Sequence, residues 1–182
     1  MKLQNKKPYL LYVGNAFPHK NLKRLILAFR LIQDNITNIN LVFVGNLDNF
    51  YKKLQTFVKN ENINNIYFLG RVSDKDLDYL YKNACIYVFP SLAEGFGLPG
   101  LEAMKNGLPV ASSNSASLPE IYGKAAVYFN PKDINDMVKK ILILIKDKEK
   151  REFLRNKGKN QVNKYSWEKC AKKTLNVYNS LK

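Results

Sequence analysis

The sequence is short of the residues that build metal and redox centres. Its 182 residues include one histidine, His19, and two cysteines, Cys85 and Cys170. One imidazole without a cysteine cluster excludes a zinc site with the usual ligand count. Two lone thiols give no disulfide framework and fit a reducing compartment. Cys85 lies inside an apolar run, and both cysteines read as packing residues. Long hydrophobic runs are missing too: the longest, such as 141–145, fall far below the roughly 20 residues that span a bilayer. The opening MKLQNKK turns directly into a strand-like run, with no signal-peptide core. Arginine is scarce, at 5 of the 30 basic residues. Acids number only 15, which leaves a formal charge of +15.

That charge suggests anionic partners: nucleic acid, an anionic membrane surface or phosphorylated ligands. Lysine (25) and asparagine (22) are both abundant. AT-rich codons favour them, so composition accounts for part of the charge. Its distribution is uneven: residues 139–182 hold 14 Lys and Arg against four acids, about +10 of the +15. That end reads either as a solvated lysine face or as a contact for anionic lipid. Nucleic acid is excluded as a partner, because no helix-turn-helix, zinc-finger or RNP motif accompanies the charge and the usual base reader is rare. With 46% hydrophobic and 25% charged residues, the chain has the composition and length of one globular domain.

Short apolar runs alternate with helical patterns. Strands are expected at 9–13, 40–44, 66–69, 85–89, 109–112 and 127–129. Helices are expected at 21–33, 48–61, from Ser73 or Asp74 to about 83, and at 99–106. Three more follow at 133–146, 148–163 and 167–181. Continuously apolar strands between helices indicate a parallel sheet covered on both faces. The expected fold class is therefore α/β: a Rossmann-like, doubly wound sheet of about six strands with a helical C-terminal end. Residues 1–182 form one domain, with the sheet core at about 8–130. Ligands bind such sheets at the carboxyl ends of the strands.

The loop and helix FPSLAEGFGLPGLEAMKNG (89–107) carries most of the chemistry. Gly95 and Gly97 permit close approach and unusual dihedrals. The amides of Phe96, Gly97 and Leu98 precede a helix N-terminus, where an anion is favoured. Glu94 and Glu102 flank them and suit vicinal hydroxyls. Phosphates in the middle with sugars at both ends describe a nucleotide sugar. On residue types alone, a turn with two solvated acids fits as well.

Glu94 and Glu102 have seven residues between them. The run SLAEGFGLPGLEAMKNGLPVASSNSASLPEI resembles the E-x7-E region of retaining glycosyltransferases of the GT-B fold, specifically glycosyltransferase family 4. Similar segments occur in order along residues 8–180: YVGNAFPHKN, LVFVG, FLGRVSDKDLDYLYKNACIYVFPS and KYSWEKCAKKTLNVY. The resemblance is to the C-terminal, donor-binding domain. It implies that Glu102 holds the ribose and Glu94 the transferred sugar, and that the amides of Phe96, Gly97 and Leu98 meet sugar and diphosphate. Lys20 matches the phosphate-binding lysine, so Glu94 and Lys20 are the expected catalytic pair. Gly14, Asn15 and Arg71 are assigned to the donor site, with a solvated or salt-bridged surface position as the alternative for Arg71. Many relatives carry an arginine where this chain has Asn15, and the loop GNAFPHKN resembles a mannosyltransferase-like subgroup. For His19 an exposed loop position is the preferred reading. Glu120, in the 117–120 loop, either faces the donor or opens a helix. Trp167 and Tyr178 are expected to pack.

The resemblance covers half of a GT-B enzyme. Its N-terminal acceptor domain is absent from this sequence, so the isolated chain is expected to bind nucleotide and transfer sugar poorly. The implied function is retaining, metal-independent hexosyl transfer in cell-surface polysaccharide or glycolipid synthesis, with no cofactor beyond the donor. GDP-mannose is the favoured donor and UDP-hexose the second. The implied location is cytoplasmic, with peripheral contact at the inner membrane face as an option. The alternative is a non-catalytic nucleotide-binding subunit of a split enzyme.

Overall fold

The computed structural model describes residues 8–181, so the first seven residues, and the reading placed on them, lie outside the described region. Strands β1 (Tyr9–Val13), β2 (Asn40–Val44) and β4 (Ile86–Phe89) are almost wholly buried, as their unbroken apolar runs require. Strand β3 (Ile66–Phe68) is half-buried, and β5 (Val110–Ser113) and β6 (Ala126–Phe129) complete the sheet. All pairs are parallel, in the order β3-β2-β1-β4-β5-β6. The order reverses between β1 and β4, so the loops that leave those two strands meet over the centre of the sheet.

Helices α1 (Leu22–Gln33), α2 (Asn49–Asn60), α3 (Asp74–Asn83) and α4 (Leu98–Lys105) fill the crossovers. A five-residue helix, α5 (Leu118–Tyr122), follows β5; α6 (Ile134–Lys146), α7 (Lys148–Val162) and α8 (Trp167–Ser180) end the chain. Helix α6 packs back on α1, and α7 packs on α4. Strand and helix bounds fall within one or two residues of those expected from periodicity, the normal uncertainty at frayed ends. Helix α5 is the exception: it is too short to show a helical period, and Glu120 lies exposed in its first turn. Asp48, Ser73, Asp133, Asp147 and Ser166 cap their helices through side-chain oxygens that accept backbone N–H bonds.

The C-terminal end corrects one expectation. Trp167 and Tyr178 are 79% and 65% exposed on α8, and that helix buries no residue. Cys170, on the same helix, is also exposed. Their spacing is amphipathic, but no element among the described residues covers that face. Cys85 does pack against the core. Ile141, Leu144 and Leu154 are buried, so the lysines of α6 and α7 flank residues already used in packing. No helix among the described residues is long and apolar enough to cross a membrane.

Six buried tyrosines set a pH limit on this fold. Burial is the main cause that pushes the phenols of Tyr9, Tyr12, Tyr51, Tyr81, Tyr87 and Tyr122 well above their ordinary value. The folded chain keeps them protonated, while the unfolded chain releases their protons from about pH 10. Their contribution is therefore complete below that pH and is lost as pH rises through it, at about 1.4 kcal/mol per pH unit for each phenol. The urea midpoint should drop steeply above about pH 10, and the tyrosinate absorbance of these six phenols should appear only together with loss of helix signal. Ionisation of more than the other five of the 11 tyrosines while the helix signal persists would contradict this.

Candidate functional site

The β1 loop and the β4 loop meet through a buried asparagine. Asn21 follows the short 3-10 turn Pro18–Lys20 and adopts a left-handed conformation, φ 60°. Its side-chain amide donates to Pro90 O at 3.0 Å and to Pro131 O at 2.8 Å, and Arg24 donates to its Oδ1 at 3.0 Å. One side chain thus joins the exits of β1, β4 and β6. Leu92 N adds a 2.7 Å bond to His19 O. The His19 ring is exposed beside Phe17, with ring centroids 6.1 Å apart.

These ties bring Lys20 to Glu94. Nζ and Oε1 are 2.7 Å apart, and the side chains are only 14% and 11% exposed. A shielded pair of this kind has a strong mutual hold, and removing one partner leaves a costly unpaired charge. The two residues are 74 positions apart in sequence. Ser117 Oγ donates to Glu94 O at 3.1 Å, which fixes the backbone behind the carboxylate. Ala116 before it holds φ 52°, a strained value for a residue with a Cβ.

Gly97 caps α4 with φ 83°. The Tyr122 hydroxyl donates to Gly97 O at 2.6 Å. A Cβ on Gly97 would meet that hydroxyl and, at 2.6 Å, Leu118 Cδ2; a Cβ on Gly100 would also run into the Tyr122 hydroxyl. With its carbonyl turned inward, the turn leaves the amides of Phe96, Gly97 and Leu98 without a partner among the described residues. At Gly95 a Cβ would meet no protein atom within 4 Å and φ is not in the left-handed range, so neither the packing of the protein nor an unusual dihedral requires glycine. Phe96 is exposed, edge-on to Tyr165 at 5.3 Å. Glu102 is exposed on the second turn of α4, and Tyr81 OH donates to its Oε2 at 3.1 Å.

Gly14 and Asn15 lie in the β1 loop, with their own groups tied to the protein. Gly14 N donates to Val44 O at 2.9 Å, and Gly14 O accepts from Tyr51 OH at 2.9 Å. Asn15 O accepts from Tyr12 OH at 2.8 Å, and Asn15 Oδ1 accepts from Phe17 N at 3.4 Å. Gly14 has φ 151°, and its carbonyl occupies the space where Gly45 would carry a Cβ. Arg71 is exposed at the exit of edge strand β3. Two strand spacings separate β3 from β1, roughly 10 Å. The structure therefore groups Lys20, Glu94 and the Phe96–Leu98 amides, with Glu102 one turn further on and Arg71 at the sheet edge. Sequence reading missed Asn21, Tyr81, Gly100 and Tyr122, because their partners lie far away along the chain and leave no local pattern.

A six-stranded parallel sheet with this switch point is Rossmann-like, and its structural neighbours are GT-B glycosyltransferases. Sucrose-phosphate synthase from Thermosynechococcus elongatus superposes with TM-score 0.82 at 27% identity, over 96% of this chain and 45% of that one. The C-terminal domain of the glycosyl transferase group 1 family protein LpcC from Francisella tularensis gives 0.75 at 25% identity, over 90% of both chains. The chain belongs to the glycosyl transferases group 1 family, whose profile matches residues 2–161. It is 38% identical over 180 residues to O-antigen chain mannosyltransferase B of Escherichia coli, covering 95% of this chain and 46% of that protein. The chain thus spans about half the length of the curated relatives it matches, or less.

The two glycines of the loop should separate in a stability assay. Gly97→Ala should cost about 3 kcal/mol or more, from left-handed strain together with displacement of Tyr122 and Leu118. Gly95→Ala should stay within about 0.5 kcal/mol of the parent, as an open surface site allows. Urea unfolding of both variants measures this; equal costs would refute the packing described for Tyr122.

Proposed function

We propose that this chain is the donor-binding half of a retaining hexosyltransferase that takes a nucleotide sugar, GDP-mannose first and a UDP-hexose second. One observation carries the reading: Lys20 and Glu94 meet at 2.7 Å beside three unpaired amides at the start of α4. A diphosphate placed there takes the amides and the Lys20 ammonium, and Glu94, released from full pairing, takes hydroxyls of the sugar. Glu102 holds the ribose. The lysine and the amides then oppose the charge that develops on the leaving diphosphate. This work needs neither metal nor cofactor. The donor preference follows from likeness to an O-antigen chain mannosyltransferase, which also suggests cell-surface polysaccharide or glycolipid synthesis.

A second domain or subunit supplies the acceptor. Relatives about twice as long, and a neighbour that is itself a C-terminal domain, support that division. Contact with anionic lipid would rest on the lysines of α6–α8, because the buried apolar residues of α6 and α7 are committed to the core.

Calorimetry with GDP, UDP and ADP tests the site. One nucleotide should bind at micromolar affinity, and Lys20→Ala and Glu102→Ala should each weaken it at least tenfold with the circular dichroism spectrum kept. Unaltered binding in both variants, or no binding of any nucleotide, sinks the reading. Glu94 would orient the sugar and not attack it, so retention requires the acceptor to attack on the face from which the diphosphate departs. The full enzyme should give a product with the donor's anomeric configuration; a product of the opposite anomer, read from its one-bond C1–H1 coupling by NMR, would refute retention.

A further inference from the structure

Glu102 is exposed on a helix surface, yet its carboxylate is not left to rotate freely. The Tyr81 hydroxyl, at the end of a buried side chain on α3, reaches Oε2 at 3.1 Å across 21 residues of sequence. The same hydroxyl lies 3.5 Å from Pro99 O, in the first turn of α4. Oε1 makes no contact among the described residues that would compete with a ligand.

We propose that Tyr81 is the positioning residue for Glu102: its hydroxyl fixes one carboxylate oxygen and presents the other to a vicinal diol of the ligand. The proposal rests on the reading that Glu102 holds the ribose of a nucleotide. Physically, an exposed glutamate loses side-chain entropy when a diol immobilises it. A buried donor that already holds one oxygen pays that cost in advance and sets the direction of the remaining lone pairs. Tyr81 can only act as the donor here. Burial, followed by the negative charge of Glu102, pushes its phenol far above the ordinary value, so it stays protonated at any working pH. Its ring packs against Tyr87, centroids 6.0 Å apart, which holds the hydroxyl in place.

The test compares the nucleoside diphosphate that binds most tightly among GDP, UDP and ADP with its 2′,3′-dideoxy analogue. Both are titrated into the parent chain, Tyr81→Phe, Glu102→Gln and the double variant. Tyr81→Phe should weaken the ribonucleotide about three- to tenfold, less than a direct hydrogen bond to a charged group is worth, because the hydroxyl acts through Glu102 and does not touch the ligand. It should leave the dideoxy analogue unchanged, and its effect should vanish in the Glu102→Gln background. A merely structural tyrosine would weaken both ligands alike, and that result overturns the proposal. So does a silent Tyr81→Phe beside a Glu102→Gln variant that loses ribonucleotide binding; in that case the ribose reading of Glu102 survives alone. If the parent binds both ligands equally and Glu102→Gln changes nothing, the ribose reading fails and the proposal falls with it.

Discussion

Buried phenols that donate to backbone carbonyls hold the ligand side of this domain together. Tyr12, Tyr51 and Tyr87 each bond a carbonyl in the 13–15 segment at the exit of β1, and Tyr122 bonds Gly97 at the head of α4. A carbonyl buried without a donor would cost a substantial part of a domain's net stability. Each such bond also turns its peptide unit, so that the oxygen points into the protein. At Gly97 this turn leaves the neighbouring amides on the outer side. The tyrosines therefore stabilise the loops and, in the same act, decide which polar groups face the cleft.

Charge is arranged on that frame with little freedom. Lys20 ends a short turn that Asn21 anchors, and Glu94 sits on a backbone held by Ser117. The ion pair between them is shielded, so it is both strong and expensive to dissolve. On the proposed reading, an incoming diphosphate would replace Glu94 as the partner of the ammonium, and the freed carboxylate would take hydroxyls nearby, which would couple recognition of the diphosphate to recognition of the group attached to it.

Periodicity made the sheet legible because a strand covered on both faces has no polar positions to confuse its pattern; β1, β2 and β4 are of that kind. The helix Leu118–Tyr122 was legible only as one of two readings of Glu120, because five residues do not complete two turns. Lys20, Glu94, Glu102 and Gly97 could be singled out through the resemblance to a family motif. Tyr81, Tyr122 and Asn21 were not, since their partners lie 21 to 110 positions away and no local pattern encodes such a contact. The unusual dihedral expected at Gly95 is not there, because glycine identity is visible in a sequence whereas the backbone angle is not. Trp167, Tyr178 and Cys170 were expected to pack because an amphipathic helix usually has a neighbour, and α8 has none among the described residues.

That exposed helix has an optical consequence. Trp167 is the chain's single tryptophan, and it is already mostly in water when the domain is folded. Indole emission will therefore change little as the core melts, while the tyrosines, many of them interior, carry the signal of unfolding. Conversely, anything that covers α8 will shift the emission to the blue without disturbing the sheet. The chain thus carries its own fluorophore on a helix open to solvent.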